Sequence, residues 1–314
     1  MHRWTRGFAA PVSVVALAVA VAACGSSSNN SSTKTSHTTS GSSSASASGF
    51  TMPAKNASVA ALVPKSIKSK GTLTVASDAT YAPDEFLASN GHTVIGMDAD
   101  LSHALGALMG LKVNLVNATF ATIIPGLAAG RYDMGASSFG DTKAREKTVD
   151  FVDYAFVGES FYTKSSGGTS IGSIADICGK TVSVESGTTE EADAKTQSGK
   201  CTKAGKKGVK VLVFDTQTEA NLAVSSGRAQ LGFADTPVAT YQVKKSNGEF
   251  KVVGAPYAPV PYGLAMPKNG LDKSVLAALK VLVNDGTYNK IFSKWGLRGI
   301  EIHLSKVKIN GATS

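Results

Sequence analysis

The chain has 314 residues, with 32 Lys and Arg against 23 Asp and Glu, a formal net charge of +9 and 42% hydrophobic residues. That length accommodates two ordinary domains, each with a sizeable core, and three cysteines are too few for a structural zinc site. The positive balance by itself admits a nucleic-acid partner, but its densest run, Lys203 to Lys210, is broken by glycines and has no interleaved aromatics, so it reads as a solvated loop and no nucleic acid is expected.

In chain order, Arg3 and Arg6 precede an apolar run from Phe8 to Ala23, too short for a membrane span and laid out as a signal peptide over residues 1–23. The run ends Val21-Ala22-Ala23-Cys24-Gly25, which resembles the lipobox of bacterial lipoproteins, whose cysteine is lipidated and becomes the new N-terminus. An ordinary secretory signal with an incidental cysteine is the alternative. Acyl chains on Cys24 would contribute about 0.8 kcal/mol per buried CH₂, holding the exported chain to the outer face of the cell membrane without a transmembrane helix. From Gly25 to about Ser48 the residues are almost all Ser, Thr, Asn, Ala and Gly, which cannot bury enough surface to offset their ordering entropy; the lipidated Cys and tether together take residues 24–60. Asn30-Ser31-Ser32 is formally a sequon but carries little weight beside a lipobox.

Strand and helix patterns alternate from about Lys70, which argues for an α/β layout. Gly71 to Ser77 reads as a strand, Asp78 to Phe86 as a loop held by Pro83, and Met97 to Leu108 as a helix with apolar residues at Leu101, Leu105 and Leu108. Lys112 to Val116 is then a strand, Thr119 to Ala129 a helix closed by Gly130, and Tyr132 to Ala136 a strand. Ser137 to Gly140 is expected as a tight polar loop leading to a helix capped by Asp141 or Thr142, with Arg145 in its first turn. A cation there is disfavoured by about 0.3–1 kcal/mol against the helix dipole, so Arg145 is read as gripping a carboxylate with its planar fork; a solvated surface arginine is the bland alternative.

A similar order follows: a strand from Lys210 to Asp215, a helix from Thr218 to Ser226 closed by Gly227, and a strand from Ala229 to Ala234 ending at Asp235-Thr236-Pro237. Two lobes on one plan are implied, and open α/β sheets gather ligands at the carboxyl ends of their strands. The facing ends suit a zwitterion: Arg145, the Ser137 and Ser138 hydroxyls and free N–H groups on one side, the Asp235 carboxylate on the other, a capping or surface role being the alternative for Asp235 taken alone. Ser186 to Glu191 follows the strand Thr181 to Val184; Thr188 with Glu191 is a capping box, and the same helix start can receive an anion. Tyr81 and Phe120, in loops after strands, are placed to cover a ligand side chain or else to belong to the core, and Asp78 to meet a donor on that side chain or to cap a turn. Cys178 and Cys201 are too far apart for a CxxC motif; an oxidising compartment makes a disulfide the default, worth about 3 kcal/mol, with free thiols the alternative.

Taken together, these segments resemble the extracellular solute-binding proteins, family 3, that serve polar amino acid ABC transporters. The resemblance covers about Lys70 to Arg298 and is carried by Ser77-Asp78-Ala-Thr-Tyr81-Ala-Pro83, Gly96-Met-Asp98-Ala-Asp100-Leu101, Phe120-Ala-Thr-Ile-Ile-Pro125-Gly-Leu127, Gly130-Arg-Tyr-Asp133 and Ser137-Ser138 with Thr142-x-x-Arg145. It continues in Cys178-Gly-Lys-Thr-Val, Gly187-Thr188-Thr189, Asp235, Tyr262-Gly-Leu-Ala-Met-Pro-Lys268 and Asp285-Gly-Thr-Tyr-x-x-Ile-x-x-Lys-Trp295-Gly296. It implies the type II periplasmic-binding-protein fold: two α/β lobes joined by two crossover strands, at Phe156 to Lys164 and Gly254 to Tyr262, with a ligand cleft between them. Lobe 1 would take residues 61–160 and 256–314, and lobe 2 residues 161–255. By the family pattern Arg145 and Thr188 or Thr189 hold an α-carboxylate, Asp235 with Ser138 takes the α-ammonium, Tyr81 and Phe120 flank the side chain and Asp78 meets its polar end, with Ser137 and Gly140 completing the lining. Two departures stand out: Asp84 where the family has an aromatic, and Gly140 where relatives with a Ser-x-Ser loop have a hydroxyl. The acid at Asp78 leans the ligand towards a basic or amide side chain.

The resemblance implies a monomeric, non-enzymatic binding protein that closes on a polar L-amino acid and delivers it to a membrane permease, with no cofactor and no metal. An enzyme on the same scaffold, of the cyclohexadienyl-dehydratase kind, is the alternative, but the histidines His2, His37, His92, His103 and His303 lie in no recognisable nucleophile motif, and G-x-S-x-G, P-loop and H-E-x-x-H patterns are missing. A sensory lipoprotein needs the same clamp and is a further alternative.

Overall fold

The computed structural model describes residues 50–313. The expected signal segment, the Cys24 anchor and the tether up to residue 49 lie outside the described residues.

Two short helices lead in. α1 (Ala57–Ala61) is capped by the Asn56 side chain, which accepts from Val59 N–H, and α2 (Lys65–Lys70) is ended by Gly71 at φ 68°. β1 (Thr72–Ser77) follows as expected. Asp78 to Phe86, expected as a loop, instead carries β2 (Thr80–Tyr81) and the start of β3 (Glu85–Leu87), which with β4 (Val94–Ile95) make a small antiparallel sheet with a cis Ala82–Pro83 bond between its first two strands. α3 (Met97–Met109) buries Met97, Leu101, Ala104, Leu105 and Leu108 at helical spacing and stops at Gly110, whose positive φ no residue with a Cβ adopts cheaply.

β5 (Lys112–Asn117), α4 (Phe120–Ala128) and β6 (Met134–Gly140) complete the first unit. Here the structure corrects the sequence reading: Ser137 to Gly140 is no loop but the buried second half of β6, and after it comes only a 3-10 turn, Arg145–Lys147, in place of a capped helix. Three residues of 3-10 turn carry no appreciable macrodipole, so the argument that Arg145 opposes one fails. β7 (Asp150–Lys164) leads to β8 (Thr181–Glu185), α5 (Thr189–Lys203), β9 (Lys210–Phe214), α6 (Gln217–Ser225), β10 (Leu231–Asp235) and α7 (Thr236–Lys245). The chain then returns through β11 (Phe250–Met266) to α8 (Leu271–Asn284) and α9 (Thr287–Trp295).

The main sheet has the order β5-β1-β6-β11-β7-β10-β8-β9. Within each half the first strand lies between the second and the third, β1 between β5 and β6, β8 between β9 and β10, all parallel. The loose internal repeat seen in the sequence is thus a shared topology. Two lobes result, each with helices on its sheet, and the long antiparallel pair β7 and β11 runs through both. β11 does not follow β7 evenly. Register shifts fall between Val253 and Tyr257, Tyr257 and Val260, and Tyr262 and Gly263. Pro256, Pro259 and Pro261 offer no N–H to the ladder there, and Ala258 sits at φ 41°.

The largest core packs Leu73, Val75, Met97, Leu101, Tyr154 and Tyr262 with the inner faces of α8 and α9, and a second joins Phe161 and Phe233, stacked at 3.9 Å between centroids, to Val182 and Leu231. Cys178 and Cys201 form a disulfide that ties the approach to β8 to the end of α5. The exposed lysines from 203 to 210 lie at the end of α5, in the turn that follows and at the first position of β9.

Candidate functional site

The carboxyl ends of β1, β6, β8 and β10 meet across the cleft. On the first-lobe side, Asp78 follows β1 directly. Its Oδ2 accepts from Phe120 N–H at 2.8 Å and its Oδ1 from the Thr80 hydroxyl at 2.7 Å, so the carboxylate rests on the first N–H of α4. Ser137 accepts from Asp78 N–H at 2.9 Å and donates to Glu85 Oε1 at 2.9 Å. Ser138 is held at φ 49°, a conformation costly for a residue with a Cβ. Asp98 Oδ2 fixes it by accepting from its N–H at 2.8 Å, while its hydroxyl donates to Asp84 Oδ2 at 3.1 Å.

Arg145 reaches inward from the 3-10 turn. Nη1 donates to Gly140 O at 2.7 Å and Nη2 to Gly187 O at 2.8 Å, while the guanidinium lies 5.5 Å from the Phe120 ring centroid and 5.8 Å from that of Phe139. Gly140 is in the first lobe and Gly187 in the second, so one fork touches both. Two of its five N–H donors are used in this way, which leaves three for an anion.

In the second lobe Thr188 caps α5. It accepts from Glu191 N–H at 3.2 Å and donates to Glu185 O at 2.8 Å, while the Glu191 carboxylate accepts from Gly187 N–H at 2.7 Å. Asp235 ends β10. Its Oδ2 accepts from the Tyr81 hydroxyl at 2.9 Å, and its N–H donates back to Tyr81 Oη at 3.0 Å. Gln217 N–H donates to Thr80 Oγ1 at 3.2 Å. The lobes are therefore closed on each other.

Asp78, Tyr81, Phe120, Ser137, Ser138, Gly140, Arg145, Thr188, Thr189 and Asp235 all line one cavity, which in this closed arrangement keeps about 10 Å³ of free space, room for about one water, so the lobes must part to admit a ligand. Two of their settings differ from the sequence reading: Tyr81 is in β2 and Phe120 opens α4, not loops. Glu185 and Glu190 also line the cavity and were not singled out. Glu185 is the last residue of β8, at the end of a strand where functional groups gather, so its position was a usable signal; Glu190 is masked in sequence by its neighbour Glu191, which does the capping. Asp84, by contrast, is fully buried beneath Ser138 and within 3.4 Å of Tyr262 Oη, not on the cavity wall. A Cβ at Gly140 would lie 3.3 Å from Val260 Cγ2 and 3.4 Å from Thr189 Cγ2, so the missing hydroxyl leaves room for the opposite lobe.

The electrostatics are lopsided. Asp78, Glu185, Glu190 and Asp235 face a single cation, Arg145, among the residues that line the cavity. Burial raises all four carboxyls; Asp235 is pushed up to about 6, with the Tyr81 and Tyr262 hydroxyls and Arg145 pulling the other way. Burial lowers Arg145, which Glu190 and Asp235 counteract. Among the described residues no group of three or more His, Cys, Asp or Glu is arranged to hold a metal ion. The arrangement is suited to binding a small molecule with one anionic and more than one cationic group.

The sequence pattern of the bacterial extracellular solute-binding proteins, family 3, matches residues 73–298. The arginine-binding protein ArgT of Corynebacterium glutamicum is 33% identical over 248 residues, 78% of this chain and 81% of its own length. Among solved structures, an ancestral arginine-binding protein bound to arginine superposes with a TM-score of 0.66 at 37% identity, covering 72% of this chain and 98% of the other. The arginine-, lysine-, histidine-binding protein ArtJ from Geobacillus stearothermophilus gives 0.67 at 29% identity, over 75% of this chain and 99% of its own.

Proposed function

This chain belongs to the bacterial extracellular solute-binding proteins, family 3, and from that membership we propose that it closes on a polar L-amino acid, with a basic side chain favoured over an amide, and delivers it to the permease of an ABC importer. The observation that carries the reading is the single cavity in which a guanidinium from one lobe and a carboxylate from the other stand ready for the two ends of one zwitterion. Arg145 with Thr188 and Thr189 takes the α-carboxylate, Asp235 with Ser138 the α-ammonium, and Tyr81 and Phe120 cover the side chain that ends at Asp78. The surplus of cavity carboxyls, together with the ligands named for the relatives, supports a basic side chain. Closure is a population shift, because a ligand touches both lobes only when they are together.

The lobes divide on this reading at residues 61–160 with 256–314 and 161–255. The chain is exported by its signal segment, anchored through Cys24 to the outer face of the membrane, monomeric, and does no chemistry on its ligand. Calorimetry against the twenty amino acids and opines tests the function: binding in the micromolar range or tighter is expected for a basic amino acid, and silence across the panel refutes it. Turnover of arogenate or prephenate would refute the non-enzymatic reading.

A further inference from the structure

The cavity holds a second meeting of the lobes, away from the Arg145 fork. Asp78 stands at the end of β1 and Glu185 at the end of β8, the central strands of the two 2-1-3 units, and the two carboxyls come together on one cavity wall from opposite lobes. Both line the cavity, Glu185 is 1% exposed, and its Oε1 has no partner. Asp78 is already served by Phe120 N–H and the Thr80 hydroxyl, which favour its ionised form. Two carboxylates brought together in a buried site repel, which favours a proton held between them, and Glu185, buried with an unpartnered oxygen, carries it.

We propose that Glu185 is a specificity-determining residue, and that a cationic ligand side chain replaces the proton shared between Glu185 and Asp78, bridging the two carboxylates and so clasping the lobes at a second point. This rests on the amino-acid reading above. The exchange balances: the ligand's guanidinium or ammonium enters with its charge, the Glu185 proton leaves to solvent, and the net charge within the cavity is unchanged. A neutral amide brings no charge to compensate the second carboxylate, so it leaves the proton in place and donates at most to Asp78. The other titratable groups facing the pair do not supply the missing cation: Glu190 comes from α5, Glu85 from β3 and the Tyr81 hydroxyl from β2, and the free donors of Arg145, which is tied to Gly140 and Gly187, are kept for the ligand carboxylate. At the start of α6 the Gln217 backbone N–H is given to Thr80 Oγ1.

The test is calorimetry of the purified protein with arginine, lysine and glutamine at pH 7 in two buffers of different ionisation enthalpy. Arginine and lysine should release about one proton and glutamine about none, and arginine affinity should rise about tenfold per pH unit over the range where the pair holds its proton. In Glu185→Gln the proton release should vanish and the arginine-to-glutamine affinity ratio should fall at least about tenfold; Glu185→Asp should restore part of both. Arginine binding by the unaltered protein without proton release overturns the proposal, as does a Glu185→Gln ratio equal to that of the unaltered protein. Failure of the unaltered protein to bind any amino acid would overturn the underlying reading itself, a different result from either.

Discussion

Replacing Arg145 by alanine removes three things at once. The ligand carboxylate loses a charge-assisted fork, each of whose hydrogen bonds is worth about 1.5–3 kcal/mol. The closed state loses the 2.8 Å bond to Gly187 that joins the lobes. The four cavity carboxyls lose their one facing cation, so a bound carboxylate would stand among like charges. Breaking one partner of a buried ion pair costs about 3–5 kcal/mol, and the structure places this change in that range, because the guanidinium is packed against two aromatic rings where water replaces it poorly. The dissociation constant for the best amino acid should therefore rise roughly a hundred- to several-thousand-fold. Arg145→Lys keeps the charge without the fork and should fall between the two. Calorimetric titration reads both variants, with thermal melting of the ligand-free proteins as the check on folding. A dissociation constant within tenfold of the original in Arg145→Ala would refute the carboxylate grip.

The ligand-free protein should be more stable in mild acid than at neutral pH. Asp98 and Asp235 are raised to about 6 and Asp153 to about 8, against a usual 3.8, so between about pH 4 and 8 the folded state holds protons that the unfolded chain has released, and stability declines as pH rises through that window. Melting temperatures taken from pH 5 to 8 should fall, and a rise between 5 and 7 would contradict the assignment. Replacing Cys178 and Cys201 by serine should cost about 3 kcal/mol, since the bridge closes a 23-residue separation, and lower the melting temperature by several degrees without abolishing ligand binding. Gly232→Ala would put a Cβ 2.1 Å from the buried Tyr162 ring, and should cost about 1–3 kcal/mol or more, read as a lower urea midpoint; an unchanged midpoint would show that the ring moves aside freely.

The alternating pattern of strands and helices made the two lobes legible, since each element there is local and helices such as α3, α4 and α6 stop at or just before a glycine. Ser137 to Gly140 was misread because two serines and a glycine look like turn chemistry. They form a buried strand because Glu85, Asp84 and Asp98 hydrogen-bond the serines from 40 to 54 residues away, and no local signal shows partners at that separation. For the same reason Asp84 was taken for a change in the cavity wall when it is a support beneath it. Arg145 was found by its chemistry although the helix invoked for it does not exist. Glu185 offered one signal, its place at a strand end, but its partner Asp78 is remote in sequence and belongs to the other lobe, so the pairing itself left no local trace.

The uneven partnership of β7 and β11 has a mechanical consequence. From Val253 to Tyr257 β11 spends four steps where β7, from Phe161 to Glu159, spends two. One strand is taut and the other has spare length, gathered where prolines already deny it a full ladder. A taut cord beside a slack one bends about the taut one, so an opening rotation would pivot on β7 while β11 takes up or lets out its surplus, and the paired ends at Phe250 and Met266 need not slip. Shortening that surplus by a residue would then act as a brake on the clamp from outside the cavity.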